Sequence, residues 1–580
     1  TPFNLSGSLA TSSKSDIEIT VPEKATFKAY SGSQIAGTIL VTGAGNIDLS
    51  QAQNPQSVGE DISYDKIYGQ LENVTIVDSL TIKNNSTVTV KGGFNVNEGV
   101  TLTIEKGSYL IIDSEAASMV VAGKIVVEDG AYLTVTKAKD VQVSGSIESE
   151  GTVSINSTVT IKSGGSIVIN DNSVTENNET IYKSTFTAGE ELTVEAGAEL
   201  IIKSKVASAT TVTNKGTVTL DGAVLGGNFT VNMAADKAVV QVLSVSGNAS
   251  VKITDAGLKF ADKKTIVGTT EGTVANEVTI AVGNNVVKGL TVVETVSSKT
   301  VDGQTKYYNT LDLAGAVSVA STTDTALNET QDVVSVSGDR IAVTGELTLG
   351  KNVNMTVSGK ISVSGKLVAT EENSKITSNV KEKEDFTVSG LVQTIAKIDK
   401  ISAAMYETKS GTTTLYNYTT LKAAVDAAAK DITVTGTIYV TESFTVPKDT
   451  TVKNNGTIVV GSDENTDVEL TFADGAVLKN GTVEVKGTLY FENKKDNKAS
   501  DIQSDVSVIG EKDARYTNVY TALAKANAGE TVTVTGETVH LKKNITIKEG
   551  VTLDVPNSKT LKVFAGVTIT VNGTLKTAEK

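Results

Sequence analysis

Oxygen donors are most concentrated at Ser462-Asp463-Glu464-Asn465-Thr466-Asp467, with Glu469 just beyond. Hard cations such as calcium are held by carboxylate and carbonyl oxygens. Asp463, Glu464 and Asp467 are therefore the candidate metal ligands, and calcium is the one cofactor candidate. A solvated turn is the plainer reading, because neither EF-hand spacing nor a nonapeptide calcium repeat accompanies the cluster. Acid–base chemistry has less to work with. His540 is the single histidine and sits between Val539 and Leu541 on an alternating stretch. Arg340 and Arg515 are the only arginines, and Arg340 reads as an exposed residue in the turn Gly338-Asp339-Arg340. Histidine is the usual proton carrier at neutral pH, and arginine the usual planar clamp for carboxylate and phosphate. Their scarcity argues against most enzyme classes, so no catalytic residue is assigned.

Asparagine offers a different chemistry. The N-x-[ST] acceptor pattern occurs at Asn4, Asn73, Asn84, Asn85, Asn156, Asn178, Asn228, Asn248, Asn328, Asn354, Asn417, Asn455, Asn480, Asn544 and Asn572. A chain rich in asparagine, serine and threonine generates many of these by chance. Asn455, Asn480 and Asn572 stand out because each is followed by Gly-Thr. Asparagine then glycine suits a tight turn, which presents the side-chain amide to a modifying enzyme. These three head the glycosylation candidates, followed by Asn73, Asn156, Asn228 and Asn544.

The chain of 580 residues has no cysteine and no tryptophan, and a formal net charge of −15. Disulfides, thiol catalysis and zinc–thiolate sites are thereby removed. An acidic chain is a poor partner for nucleic acid, whose binding rests on phosphate neutralisation by lysine and arginine. Few aromatic residues (4%) weaken the case for a sugar groove built on stacking. No apolar run reaches the length of a membrane-spanning helix, so no membrane insertion is expected. The first residue is Thr1, which reads as the removal of a secretory leader. The end at Lys580 shows no sorting tail. The expected location is secreted, extracellular, at the cell surface.

Any functional side chain must be positioned by strands. Apolar and polar residues alternate in Thr87-Val88-Thr89-Val90, Thr152-Val153-Ser154-Ile155 and Thr531-Val532-Thr533-Val534. A period of two with β-branched residues marks strands that bury one face. Glycines punctuate them at a recurring interval. Gly123, Gly145 and Gly165 are 22 and 20 apart, Gly338 and Gly359 are 21 apart, and Gly436 and Gly456 are 20 apart. An interval near 20 residues holding two or three short strands is the signature of a solenoid coil. Glycine is expected there to supply positive φ at the corners. A string of β-sandwiches would also give frequent turns, but the glycine interval favours the solenoid. The fold class is accordingly all-β, with right-handed parallel β-solenoid (β-helix) blocks, short capping helices and small inserted β domains.

Two segments break the pattern. Thr419 to Lys430 reads as a helix with a threonine N-cap, and Tyr520 to Ala526 as a shorter one. Each is preceded by a tyrosine, Tyr416 and Tyr516, and followed by a strand ending at Gly436 or Gly536. The offset of 100 residues marks a duplicated module, and a helix over an open coil would protect its strand edges. The expected organisation is 1–60 N-terminal β arm, 61–270 solenoid block, 271–330 small β domain with a hairpin at Asp302-Gly303, and 331–380 solenoid coils. Beyond these come 381–430 hairpin plus capping helix, 431–511 solenoid block and 512–580 helix-capped C-terminal block.

Residues 416–460 and 516–575 resemble the modules of secreted archaeal and bacterial β-solenoid surface proteins, the surface-layer and adhesin-like family. The resemblance lies in a tyrosine hairpin, a short alanine helix, T-V-T, and a run such as Ile545-Thr546-Ile547-Lys548-Glu549-Gly550-Val551. It covers about a third of the chain closely. It implies a non-catalytic structural protein that self-assembles as a surface-layer or extracellular-filament subunit. Its partners would be copies of itself, N-linked glycans and cell-envelope polymers, with no nucleic acid. The alternative is a glycan- or host-binding adhesin. A polysaccharide lyase would need acidic metal ligands beside a basic residue on one face, which the two separated arginines do not offer. Assembly is expected to run head-to-tail through the alternating strands Asp16, Ile17, Ile19, Val21 and Val567, Ile569, Val571. The first of these would be delivered to a neighbour by the Gly/Ser/Thr-rich arm from Leu5 to Ser15.

Overall fold

The computed structural model describes most of residues 79–577 in full and, within residues 3–78, mainly the strand backbone. Residues 256–274, 322–331, 409–413 and shorter stretches lie outside the description. The chain is a β-solenoid of about 20 turns. It divides into two compact units, residues 1–361 with 371–381, and residues 362–370 with 382–580.

In the first unit, one coil consists of the strands Met119–Val121, Lys124–Val127 and Tyr132–Ala138. The next consists of Val141–Val143, Ser146–Ser149 and Thr152–Ile155. All three strands pair in parallel with their equivalents, Met119 with Val141, Ile125 with Ile147 and Leu133 with Val153. The alternation seen in sequence becomes burial. Val121, Ile125, Val127, Leu133 and Val135 point inward and are fully buried, and all but Val127, which meets Ser149, stack on an aliphatic residue one coil on. Such a core grows by neighbour contacts along the coil axis rather than around one centre.

The recurring glycines divide by cause, and Gly338 has the expected positive φ, 113°. Gly123, Gly145, Gly165 and Gly456 do not have positive φ. Each instead passes so close to the previous coil that no side chain fits. A Cβ on Gly145 would lie 1.8 Å from the Gly123 carbonyl oxygen. Two of the corners carry the sequence Asn-x-Gly. Asn214 Oδ1 accepts the Gly216 N–H at 3.0 Å while Asn214 Nδ2 donates to the Val239 carbonyl at 2.9 Å. Asn454 repeats this with Gly456 (3.0 Å) and Thr482 (2.9 Å). The buried amide satisfies backbone groups that the bend takes out of the strand ladder.

Within residues 3–48 the described segments are short strands. Strands at Phe3–Leu5, Ser8–Ala10 and Ile17–Thr20 pair in parallel with Thr26–Ala29, Gln34–Ala36 and Ile39–Thr42. Ile17 and Ile19 thus pair on one side with Ile39 and Val41 of their own chain. Asp16 and Val21 lie outside the described residues.

Chain direction reverses around the stretch expected to be a separate β domain. Asn285–Val301 pairs antiparallel with Val239–Gly247 on one side and with Gln304–Ser321 on the other. Gln304–Ser321 then resumes parallel pairing with Ile341–Val343 and Glu346–Leu349. In the other wall, Glu277–Ala281 is antiparallel both to Ser250–Thr254 and to Asp332–Ser337. The hairpin at Gly303 therefore forms, but its inner half is part of the solenoid wall.

The second unit shows the duplicated module. A hairpin, Met405–Thr408 with Leu415–Tyr418, is followed by helix α1, Leu421–Asp426, and the strand Asp431–Val434. The second copy is Val506–Ile509 with Asp513–Tyr516, helix α2, Val519–Lys525, and Thr531–Val534. The pairings match strand for strand. Hairpin register sets Tyr516 opposite Val506 and Tyr418 opposite Met405, so Tyr516 corresponds to Tyr418 rather than to Tyr416. The second hairpin loop is shorter, which shifts the offset along the module. Helix α1 begins at the expected cap, where Thr420 Oγ1 accepts the Ala423 N–H at 3.2 Å. It stops well before Lys430 because Ala428 takes a left-handed conformation, φ 57°, and turns the chain into the next strand. Leu421 and Ala424 of α1 join the core running to Phe491, whereas Val519, Ala522 and Leu523 of α2 join a second core running to Val555. Each helix thus closes the start of a new core.

Candidate functional site

The residues that could do chemistry do not converge. His540 is exposed on the strand Thr538–Leu541, beside the ring of Phe564 at 5.7 Å. Arg515 turns inward on its own hairpin, with Nε 2.7 Å from Asp513 Oδ1 and a second nitrogen 3.2 Å from Oδ2. Asp513 is buried and also accepts from Asn497 Nδ2, so this pair fastens the hairpin to the preceding coil. Arg340 is not the exposed turn residue expected from sequence. It is half-buried, with its guanidinium 4.1 Å over the Tyr308 ring and its backbone N–H donating to Asn276 Oδ1 at 2.8 Å.

The acidic turn at 462–467 is fully exposed. Asp463 is 85% exposed and its carboxylate pairs with Lys486 at 3.0 Å. The turn is closed by its own backbone, Ser462 N–H to Asn465 O at 3.0 Å and the reverse at 3.1 Å. Among the described residues no three His, Asp or Glu side chains group as metal ligands, so Asp463, Glu464 and Asp467 are not gathered into a calcium site.

The acceptor asparagines separate by exposure. Asn156, Asn228, Asn455, Asn480, Asn544 and Asn572 are exposed. Asn228 and Asn544 lend their side-chain oxygen to the next coil, accepting the N–H of Ser250 at 3.2 Å and of Thr568 at 2.8 Å. Asn354 and Asn417 are buried, which removes them as acceptors. Asn73 lies outside the described residues.

Two further features bear on function. The first is a set of buried acids beside the direction reversal. Asp255 accepts the Asn276 N–H at 2.9 Å and that residue's Nδ2, and burial pushes its carboxyl up to about 6. Glu294 is fully buried and neither carboxylate oxygen has a hydrogen-bond partner. Burial first, then the charges of Asp255 and Asp236, push it up to about 9. The second is a coil that leaves its apolar side chains in solvent. The strands Thr560–Val563, Ile569–Val571 and Thr574–Thr577 each pair on one side alone. Val563 (43%), Phe564 (42%), Val571 (46%) and Leu575 (36%) are exposed there, and Val567 and Ile569 are half-buried.

No family model, curated protein or solved structure matches the chain.

Proposed function

We propose that this chain is a non-catalytic structural protein of the cell exterior, a surface-layer or extracellular-filament subunit that assembles with copies of itself through the edges of its coils. The observation that carries the reading is the coil at 560–577. Four of the eight large apolar side chains exposed among the described residues sit on it. Contiguous exposed apolar side chains of this kind mark an interaction surface. A head-to-tail contact made through such a surface does not close on itself, and so propagates as a filament or sheet.

Sedimentation velocity and electron microscopy of the purified chain test this. The unaltered protein is expected to form open-ended multimers. Val571→Lys with Leu575→Lys should raise the concentration needed for assembly about tenfold or more, from the apolar area no longer covered. Both positions are exposed, so folding should survive. A monomer at every concentration, or a variant that assembles like its parent, overturns the reading.

An extracellular location also predicts the modification pattern. Peptide mass spectrometry of native material should find glycans first at Asn455, Asn480 and Asn572, and none at the buried Asn354 and Asn417. Bare peptides across the three exposed turns would remove glycosylation from this account.

A further inference from the structure

We propose that the face built from His540, Lys542, Lys543, Lys562 and Phe564 binds a linear polyanion, a polymer bearing carboxylate or phosphate groups. Elsewhere on the solenoid, lysines on the outer face meet a carboxylate on a neighbouring coil. Lys124 pairs with Glu148 at 2.7 Å, Lys162 with Glu195 at 3.2 Å and Lys252 with Glu277 at 2.6 Å. On this face the neighbour is another basic residue. His540 stands directly opposite Lys562 in the parallel ladder. The Lys542 and Lys562 ammonium groups lie 6.0 and 5.9 Å from the centre of the Phe564 ring. Bases opposite one another across strands are destabilising unless something compensates. The exposed ring offers each cation a weak π contact and little more.

The local balance has the same sign. Residues 538–577 hold six lysines against Glu549 and Asp554, a surplus of four positive charges in a chain of net −15. The segment is also held in place. Tyr520 of helix α2 accepts the backbone N–H groups of Lys542 at 2.6 Å and Lys543 at 3.0 Å. A cleft of about 300 Å³ opens beside it, and its one carboxylate is the half-buried Asp505. A second row of like charges, Lys453, Lys479 and Lys498 on successive rungs, has no such surplus, since residues 448–500 hold nine carboxylates against seven lysines.

Lysine is a point charge that imposes little geometry, unlike the planar fork of arginine. Lysines on rungs about 4.8 Å apart suit a repeating anion better than one small ligand. An acidic coil of a second copy fits less well, because carboxylates on the coil ladders above are already engaged by lysines of their own chain. The proposal needs no self-assembly, so the two stand or fall separately.

Fluorescence anisotropy with labelled polygalacturonate and labelled polyphosphate tests it on the full chain. Binding is expected at 50 mM salt and should weaken roughly 20- to 50-fold at 200 mM, as three or four neutralised charges imply. Lys542→Glu with Lys562→Glu should abolish it. The pair Lys205→Glu and Lys299→Glu, exposed in the first unit and equal in charge change, should not. Whichever polymer binds distinguishes carboxylate from phosphate. Binding of neither, equal weakening by both pairs of substitutions, or a loss confined to self-association overturns the proposal.

Discussion

Gly456→Ala is expected to destabilise the coils around it by about 3 kcal/mol or more, the scale of forced overpacking, while Gly436→Ala, 20 residues earlier in the same column, is expected to be nearly silent. A Cβ on Gly456 would lie 2.1 Å from the Gly436 carbonyl oxygen and 2.9 Å from its carbonyl carbon and nitrogen. Those are backbone atoms of a paired corner, since the Gly436 carbonyl accepts the Thr457 N–H at 3.0 Å. They cannot swing aside as a side chain would. Gly436 itself has nothing within 4 Å of such a Cβ. Neither glycine has positive φ, so alanine's own backbone preference is not at issue and the contact alone separates the two. Solenoids do not melt as one unit, so the readout is hydrogen exchange of the strands between Asp431 and Val485, with the melting temperature beside it. Loss of protection in the Gly456 variant alone is the expected result. Similar behaviour of the two variants would sink the close-contact account.

The same pair shows how far the sequence could be read. The interval of about 20 residues between glycines was legible because one steric need recurs at one corner of every coil. Its cause was not, because positive φ and close approach both select glycine. Gly436 lacks the clash although its interval is the same, because helix α1 and its hairpin, not another glycine corner, precede it. The alternating stretches gave the buried face directly, since period two is fixed by strand geometry. Helix α1 began where its threonine cap placed it, but its end was set by the left-handed turn at Ala428, which alanine does not advertise. The module offset was misplaced between Tyr416 and Tyr418 because loop lengths change without altering the hairpin pattern. The basic face at 540–564 is invisible in sequence. Its members become neighbours only through the register of two strands, His540 opposite Lys562. Glu294 was legible in principle. It continues the inward parity of Leu290 and Val292, and a carboxylate at an inward position is the signal to follow.

Between pH 6.5 and 9 the reversal hairpin is expected to lose about 3 kcal/mol of local stability, the linkage effect of about two and a half pH units on one proton. Glu294 should cause that loss. Its carboxyl is raised to about 9 in the folded chain by burial and by Asp255 and Asp236, against an ordinary value near 4.5. For an acid raised on folding, the native state holds a proton that the unfolded state has released. Stability is therefore full below pH 4.5 and declines as pH rises toward 9, where the folded chain must bury a charge. Asp255, raised to about 6, acts in the same direction but is spent by pH 6.5. Glu294 backbone groups tie this strand to the preceding coil, its N–H donating to Ala238 O at 2.9 Å and its carbonyl accepting the Lys237 N–H at 2.8 Å. A charge forced onto the side chain thus acts on the strand that joins the two parallel runs. Hydrogen exchange of residues 285–321, corrected for the intrinsic pH dependence of exchange, should show protection falling across this range. In Glu294→Leu, which keeps the volume and removes the ionisable group, the protection should be flat and higher at pH 8. A flat profile in the unaltered protein, or an unchanged slope in the leucine variant, would show that Glu294 does not govern the stability of the reversal.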